Sequence, residues 1–91
     1  MIRLVSELEE LRRKIDQLDY DLLKLLVNRL SLVKEIGNLK HREGLSVYQP
    51  ERIKEVISTR CQWAKEDGIS SDFVRELFEL LISFSMEEEK W

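Results

Sequence analysis

Leu4, Leu8, Leu11, Ile15, Leu18, Leu22, Leu25, Arg29, Leu32, Ile36 and Leu39 follow one another at alternating steps of four and three residues. That is the spacing of a coiled-coil seam, and it makes residues 4–42 one amphipathic helix. Arg29 is the only polar member of the seam. The helix would be ~58 Å long at ~1.5 Å per residue. A compact chain of this length, 91 residues, has a radius of gyration of only ~12 Å. A helix of that length overshoots the globule its own chain can form, and two shorter helices cannot cover the whole seam. The simplest cover is a second copy, so the geometry predicts an obligate homodimer of long helices. A monomeric sedimentation mass at micromolar concentration would contradict it.

One Pro and three Gly punctuate the rest of the chain. Gly37 falls inside the helical pattern and is tolerated there, whereas Gly44 suits the helix end, with His41 and Arg42 complementing the dipole. A second helix is expected to start at Gln49-Pro50-Glu51, since proline loses nothing in a first turn, and to end at Gly68. Its buried stripe is Ile53, Val56, Ile57, Cys61 and Ala64. A third is expected from Ser71-Asp72, acting as N-terminal caps, with Phe73, Val74, Leu77, Phe78, Leu81 and Phe84 inward. Strand alternation, internal repeats and low-complexity segments are absent from the sequence. The expected architecture is all-α, one domain over residues 1–91, a three-helix protomer with one very long N-terminal helix.

Composition narrows the function classes. Apolar residues make up 43% and charged residues 36%, with net charge −3, which fits a folded soluble chain and argues against nucleic acid as partner. One cysteine and one histidine provide neither a disulfide nor a Cys/His metal cluster. No apolar run approaches a signal peptide or a membrane span, so the cytoplasm is the expected compartment and no membrane partner is expected.

Against that acidic background several basic residues stand out. Arg29, Val33, Ile36 and Lys40 share a helix face, and Arg29 and Lys40 lie ~16 Å apart along the axis, within reach of one small anion. Arg12 is ~25 Å from Arg29 and roughly 100° around the helix, so it does not easily reach the same ligand within one straight helix, whereas an antiparallel partner would bring it there. A seam arginine also serves to fix register or to pair with a buried glutamate, and Lys40 is also placed as an ordinary solvated cation at a helix end. Ser85 and Glu89 follow Phe78 and Leu81 on the inner face of the third helix. A buried serine commonly bonds the carbonyl one turn back, and Glu89 in Glu87-Glu88-Glu89 also reads as a solvated tail. Arg52 is poorly placed for the dipole of the second helix, and a nearby surface carboxylate is one partner for it.

Taken together, L-R-x-x-I-D-x-L-D-x-x-L-L-x-L-L at 11–26, N-R at 28–29, V-K-E-I-G-x-x-K at 33–40 and V-Y-Q-P-E-R at 47–52 resemble the all-helical chorismate mutase family. The resemblance runs from about Leu8 to Glu89. It implies an intertwined dimer with two equivalent active sites and a dianionic substrate, chorismate, rearranged to prephenate. It also implies roles: Arg12 from the partner and Arg29 on the two carboxylates, and Lys40 on the ether oxygen and a carboxylate. Arg52 and Ser85 match further pocket positions, and Glu89 matches the second side chain facing the ether oxygen. The reaction is intramolecular and calls for no nucleophile, metal or cofactor. It requires a flexible dianion held in its reactive shape and charge stabilised on the departing oxygen.

Three positions depart from the family pattern. Gln49 stands where Asp is frequent, Ile53 where a Glu contacts the substrate hydroxyl, and Glu89 where many bacterial members have Gln. P-E-R-I at 50–53 and W-A-x-E-x-G at 63–68 resemble the related isochorismate-pyruvate lyases, which form salicylate. That elimination is the alternative activity, and a catalytically silent helical dimer is the alternative of another class.

Overall fold

The computed structural model describes residues 2–90, apart from the side chains of Ile2 and Leu4. Leu4, the first member of the seam, therefore lies outside the described side chains. The described residues form three helices and no strand: α1 (Ile2–Glu43), α2 (Pro50–Asp67) and α3 (Ser71–Glu89). None of them is long and apolar enough to cross a membrane.

The helix ends follow from local chemistry. Gly44 and Gly68 adopt φ of 68° and 73°, the left-handed region in which glycine carries no Cβ penalty. At each, the next residue turns its N–H back on the helix. Leu45 donates to the Lys40 carbonyl at 2.8 Å, and Ile69 donates to the Ala64 carbonyl at 2.9 Å. Pro50 opens α2 behind Gln49, whose side chain makes no capping hydrogen bond. The cap of α3 is Ser70 rather than the expected Ser71 or Asp72: its hydroxyl accepts from the Phe73 N–H at 3.2 Å. Asp72 instead places a negative charge in the first turn of α3, where the dipole favours it.

The described residues fall into two compact units, one up to Ser31 and one from Leu32 onward. The first is helix alone. Its seam residues Leu8, Leu11, Ile15, Leu18, Leu22 and Leu25 are all exposed, Leu18 at 66% and Leu25 at 63%.

The second unit holds the last turns of α1 with α2 and α3. Val56, Ile57, Cys61 and Ala64 of α2 and Val74 of α3 are buried there, and Ile53 is half-buried, as the α2 stripe predicts. The Cys61 thiol lies 3.6 Å from the Ser71 carbonyl. Two expectations change. On α3 the buried and half-buried line is Val74, Phe78, Leu81, Ser85 and Glu89, whereas Phe73, Leu77 and Phe84 are exposed. One 18-residue helix covers a single stripe, and the wider aromatic face stays open. On α1 the inward residues are Val33, Gly37 and the half-buried Lys40, while Ile36, expected on the face with Lys40, is exposed together with Leu32 and Leu39. The intrachain packing therefore uses a stripe beside the seam.

Candidate functional site

The second unit brings two of the expected residues into contact. Lys40 sits in the last turn of α1, and Glu89 closes α3. Lys40 Nζ lies 2.5 Å from Glu89 Oε1, with the side chains only 12% and 8% exposed. The ammonium also donates to the Val47 carbonyl at 3.1 Å, in the connector between α1 and α2. Glu89 Oε1 nonetheless makes no hydrogen bond of acceptable geometry. The contact is thus an ion pair whose heavy-atom angles fall outside those of a hydrogen bond. Neither Lys40 nor Glu89 is the solvated group that its position at a helix end also allowed. Charge in so screened a place is effective, because little water competes with it.

Ser85 is buried one turn before Glu89, and its hydroxyl donates to the Leu81 carbonyl at 2.7 Å. That is the local bond expected of a buried serine in a helix. Its oxygen keeps acceptor capacity.

The remaining expected residues are placed separately. Gln49 is exposed at the entry to α2. Arg52 pairs with Glu55 one turn on, at the surface, as its place in the first turn allowed. Ile53 is half-buried and lines an open groove with Ile57, Cys61 and Arg75. In the first unit Arg29 is half-buried, and Arg12 is exposed and pairs with Glu9 on its own helix at 3.0 Å. An exposed pair of that kind contributes little to stability, so Arg12 is readily recruited elsewhere. Among the described residues no group of three His, Cys, Asp or Glu is placed to hold a metal ion.

Two participants escaped the sequence reading. The Val47 carbonyl is a backbone group, and no residue type announces it. Gly37 did carry a signal: a glycine inside an otherwise strong helix costs about 1 kcal/mol relative to alanine and calls for a packing reason. Here the reason is α3. A Cβ at residue 37 would meet the Glu89 backbone oxygen at 2.6 Å.

Chemically, the Lys40–Glu89 end of the second unit can present a compact cation and a carboxyl group to one ligand atom. Paired with each other, the two groups suit electrostatic stabilisation more than covalent chemistry.

A family model described as chorismate mutase type II matches residues 11–90 of the chain. Among curated proteins the chain is similar to the T-protein of Haemophilus influenzae, 38% identical over 80% of this chain and 19% of that protein. It thus spans about a fifth of the T-protein. It is similar to the chorismate mutase of Methanocaldococcus jannaschii, 30% identical over 96% of this chain and 88% of that protein. It is also similar to the isochorismate pyruvate lyase of Pseudomonas aeruginosa, 32% identical over 90% of this chain and 80% of that protein.

Proposed function

The chain belongs to the chorismate mutase type II family, and from that premise we propose that it converts chorismate to prephenate, a step toward phenylalanine and tyrosine. The observation that carries the reading furthest is the screened Lys40–Glu89 pair, since the breaking C–O bond needs positive charge held at its oxygen. In the rearrangement the ether bond breaks as a carbon–carbon bond forms within the same molecule. Negative charge grows on the oxygen only on the way to the transition state. A cation aimed there stabilises the transition state more than the ground state, which is what lowers the barrier.

The substrate's two carboxylates call for forked donors. Arg29 supplies one, and Arg12 of a partner chain supplies the other. Arg52, Ser85 and Gln49 complete the polar lining. A homodimer follows from the same proposal. Nine described seam leucines and isoleucines, Leu8 to Leu39, are exposed. Covering half of such a side chain is worth ~1 kcal/mol, so the seam offers on the order of 10 kcal/mol per chain to a second copy. The reading makes the chain one domain of a soluble biosynthetic enzyme working in the cytoplasm.

Ile53 favours a second reading. An aliphatic side chain in the first turn of α2 cannot hydrogen-bond the ring hydroxyl of the substrate, and chorismate and isochorismate differ in where that hydroxyl sits. An isochorismate-pyruvate lyase is therefore the alternative. Purified protein is supplied separately with chorismate and isochorismate, and prephenate is resolved from salicylate plus pyruvate. Prephenate from chorismate is expected. Salicylate and pyruvate from isochorismate would select the lyase, and no turnover of either would select a silent helical dimer.

Glu89 is placed beside the same oxygen, where a hydrogen-bond donor stabilises the growing charge. Glu89→Gln, which supplies a donor without a charge, is expected to retain turnover, and Glu89→Ala is expected to lower kcat by about 10²-fold. An unchanged kcat in Glu89→Ala would refute the role given to Glu89.

A further inference from the structure

Gly37 lies in the interior of α1 and is buried. Its φ is not in the left-handed region, which among the glycines holds only Gly44 and Gly68. The backbone there imposes no need for glycine, and alanine would favour the helix by about 1 kcal/mol. What distinguishes the position is α3. A Cβ on residue 37 would stand 2.6 Å from the Glu89 carbonyl oxygen, 2.8 Å from its Cα and 3.1 Å from its carbonyl carbon. At Gly44 and Gly68 an added Cβ would meet nothing within 4 Å.

All three obstacles are backbone atoms of one residue. They cannot yield by a change of rotamer, so relief requires the last turn of α3 to move. To reach an ordinary 3.4 Å contact the Glu89 carbonyl must retreat by about 0.8 Å, the difference from 2.6 Å. Glu89 is also the residue whose carboxylate meets Lys40. Lys40 is three residues beyond Gly37 on the same face of α1. The absent side chain at 37 and the charge contact at 40 are thus two points of one seat for residue 89: the first admits its backbone, the second receives its side chain.

We infer that Gly37 is a positioning residue, whose missing Cβ lets the Glu89 backbone rest on α1 and so fixes the carboxyl group against the Lys40 ammonium. It touches no substrate and acts through Glu89. For catalysis the inference rests on the mutase reading; for the ligand-free pair it does not. A displacement approaching 1 Å between a catalytic group and its partner can cost about 10²-fold in rate, so the seat is matched to a real kinetic sensitivity.

The test is Gly37→Ala in the full chain, with two readouts. Without ligand, urea unfolding is followed for wild type, Lys40→Met, Glu89→Gln and the double variant, and again for the same set carrying Gly37→Ala. The stability coupling between positions 40 and 89 is expected in the first set and lost in the second. With chorismate, Gly37→Ala is expected to lower kcat by about 10²-fold and KM by little. In its presence Glu89→Ala is expected to lower kcat no further. A merely structural glycine would leave the 40–89 coupling intact and the effects of positions 37 and 89 additive, and that result overturns the inference. Global loss of helix content on Gly37→Ala also overturns it, because the position would then support the core rather than one pair. If wild type does not turn over chorismate, the mutase reading fails while the unfolding cycle still decides the role of Gly37.

Discussion

Arg29→Leu is expected to abolish most of the proposed chorismate turnover while leaving the protein folded and its proposed dimer intact. Leucine completes the seam between Leu25 and Leu32, so the substitution restores the apolar repeat that the sequence interrupts once. As the proposed carboxylate clamp, Arg29 would form two parallel charge-assisted hydrogen bonds whose geometry lysine or water does not reproduce. Their loss is expected to lower kcat/KM by about 10²–10³-fold, equivalent to ~3–4 kcal/mol. KM should carry a large share of it, because the carboxylate is bound in ground state and transition state alike. The competing role is a structural ion pair. Breaking a buried pair from one side costs ~3–5 kcal/mol by stranding the other charge. Urea unfolding and sedimentation of the variant separate the two. Retained mass and stability with collapsed turnover identify the clamp, and a fall in stability of that size identifies the structural pair.

Lys40→Met is expected to remove the cation proposed at the breaking bond and to lower kcat by about 10²–10³-fold, the usual effect of deleting one preorganised donor. KM should rise less. A complication comes from the fold itself. Lys40 and Glu89 are screened together, so the single variant leaves a buried carboxylate without its counter-charge, at ~3–5 kcal/mol. Glu89→Gln added to Lys40→Met should recover that stability, because a neutral amide tolerates the site, yet it should not recover the rate. Thermal unfolding and steady-state kinetics on both variants separate the two losses. If stability and rate recover together in the double variant, Lys40 is a structural lysine and its catalytic role is wrong.

The sequence determined the helices well because their ends are local. Gly44, Pro50 and Gly68 act within a few residues of themselves, and each appears where its backbone chemistry requires. The cap of α3 slipped by one residue because Ser70, Ser71 and Asp72 are three competent acceptors in a row. Only the path of the preceding turn selects among them. Larger departures arise where an apolar face is wider than its neighbour. Phe73, Leu77 and Phe84 satisfy a helical stripe as well as Val74 does, yet only the stripe of Val74 and Phe78 is covered by α2. Pattern shows that a face seeks cover, and it does not show which molecule provides it.

The site was legible to a similar degree. Spacing put Ser85 and Glu89 inward on α3, and both are buried. Contact between Glu89 and Lys40 depends on how closely two helices remote in sequence approach each other, which no periodicity encodes. Gly37 was the one residue that carried this information, as a conformational cost without a local return. Arg12 and Arg29 belong to a unit made of helix alone, and the proposed site takes Arg12 from a second chain, so its completion depends on assembly as much as on sequence.

The hydrogen bond from Lys40 to the Val47 carbonyl separates two properties that a lysine usually couples. An exposed ammonium is strongly hydrated on a flexible stem, and a ligand must both dehydrate and immobilise it. Here most of that dehydration and part of that immobilisation accompany folding. The anchor is an amide oxygen, which does not titrate in the range where proteins are folded. Aim is therefore set by a neutral group whose own charge state does not change. A connector residue with no functional side chain thus fixes the direction of the charge.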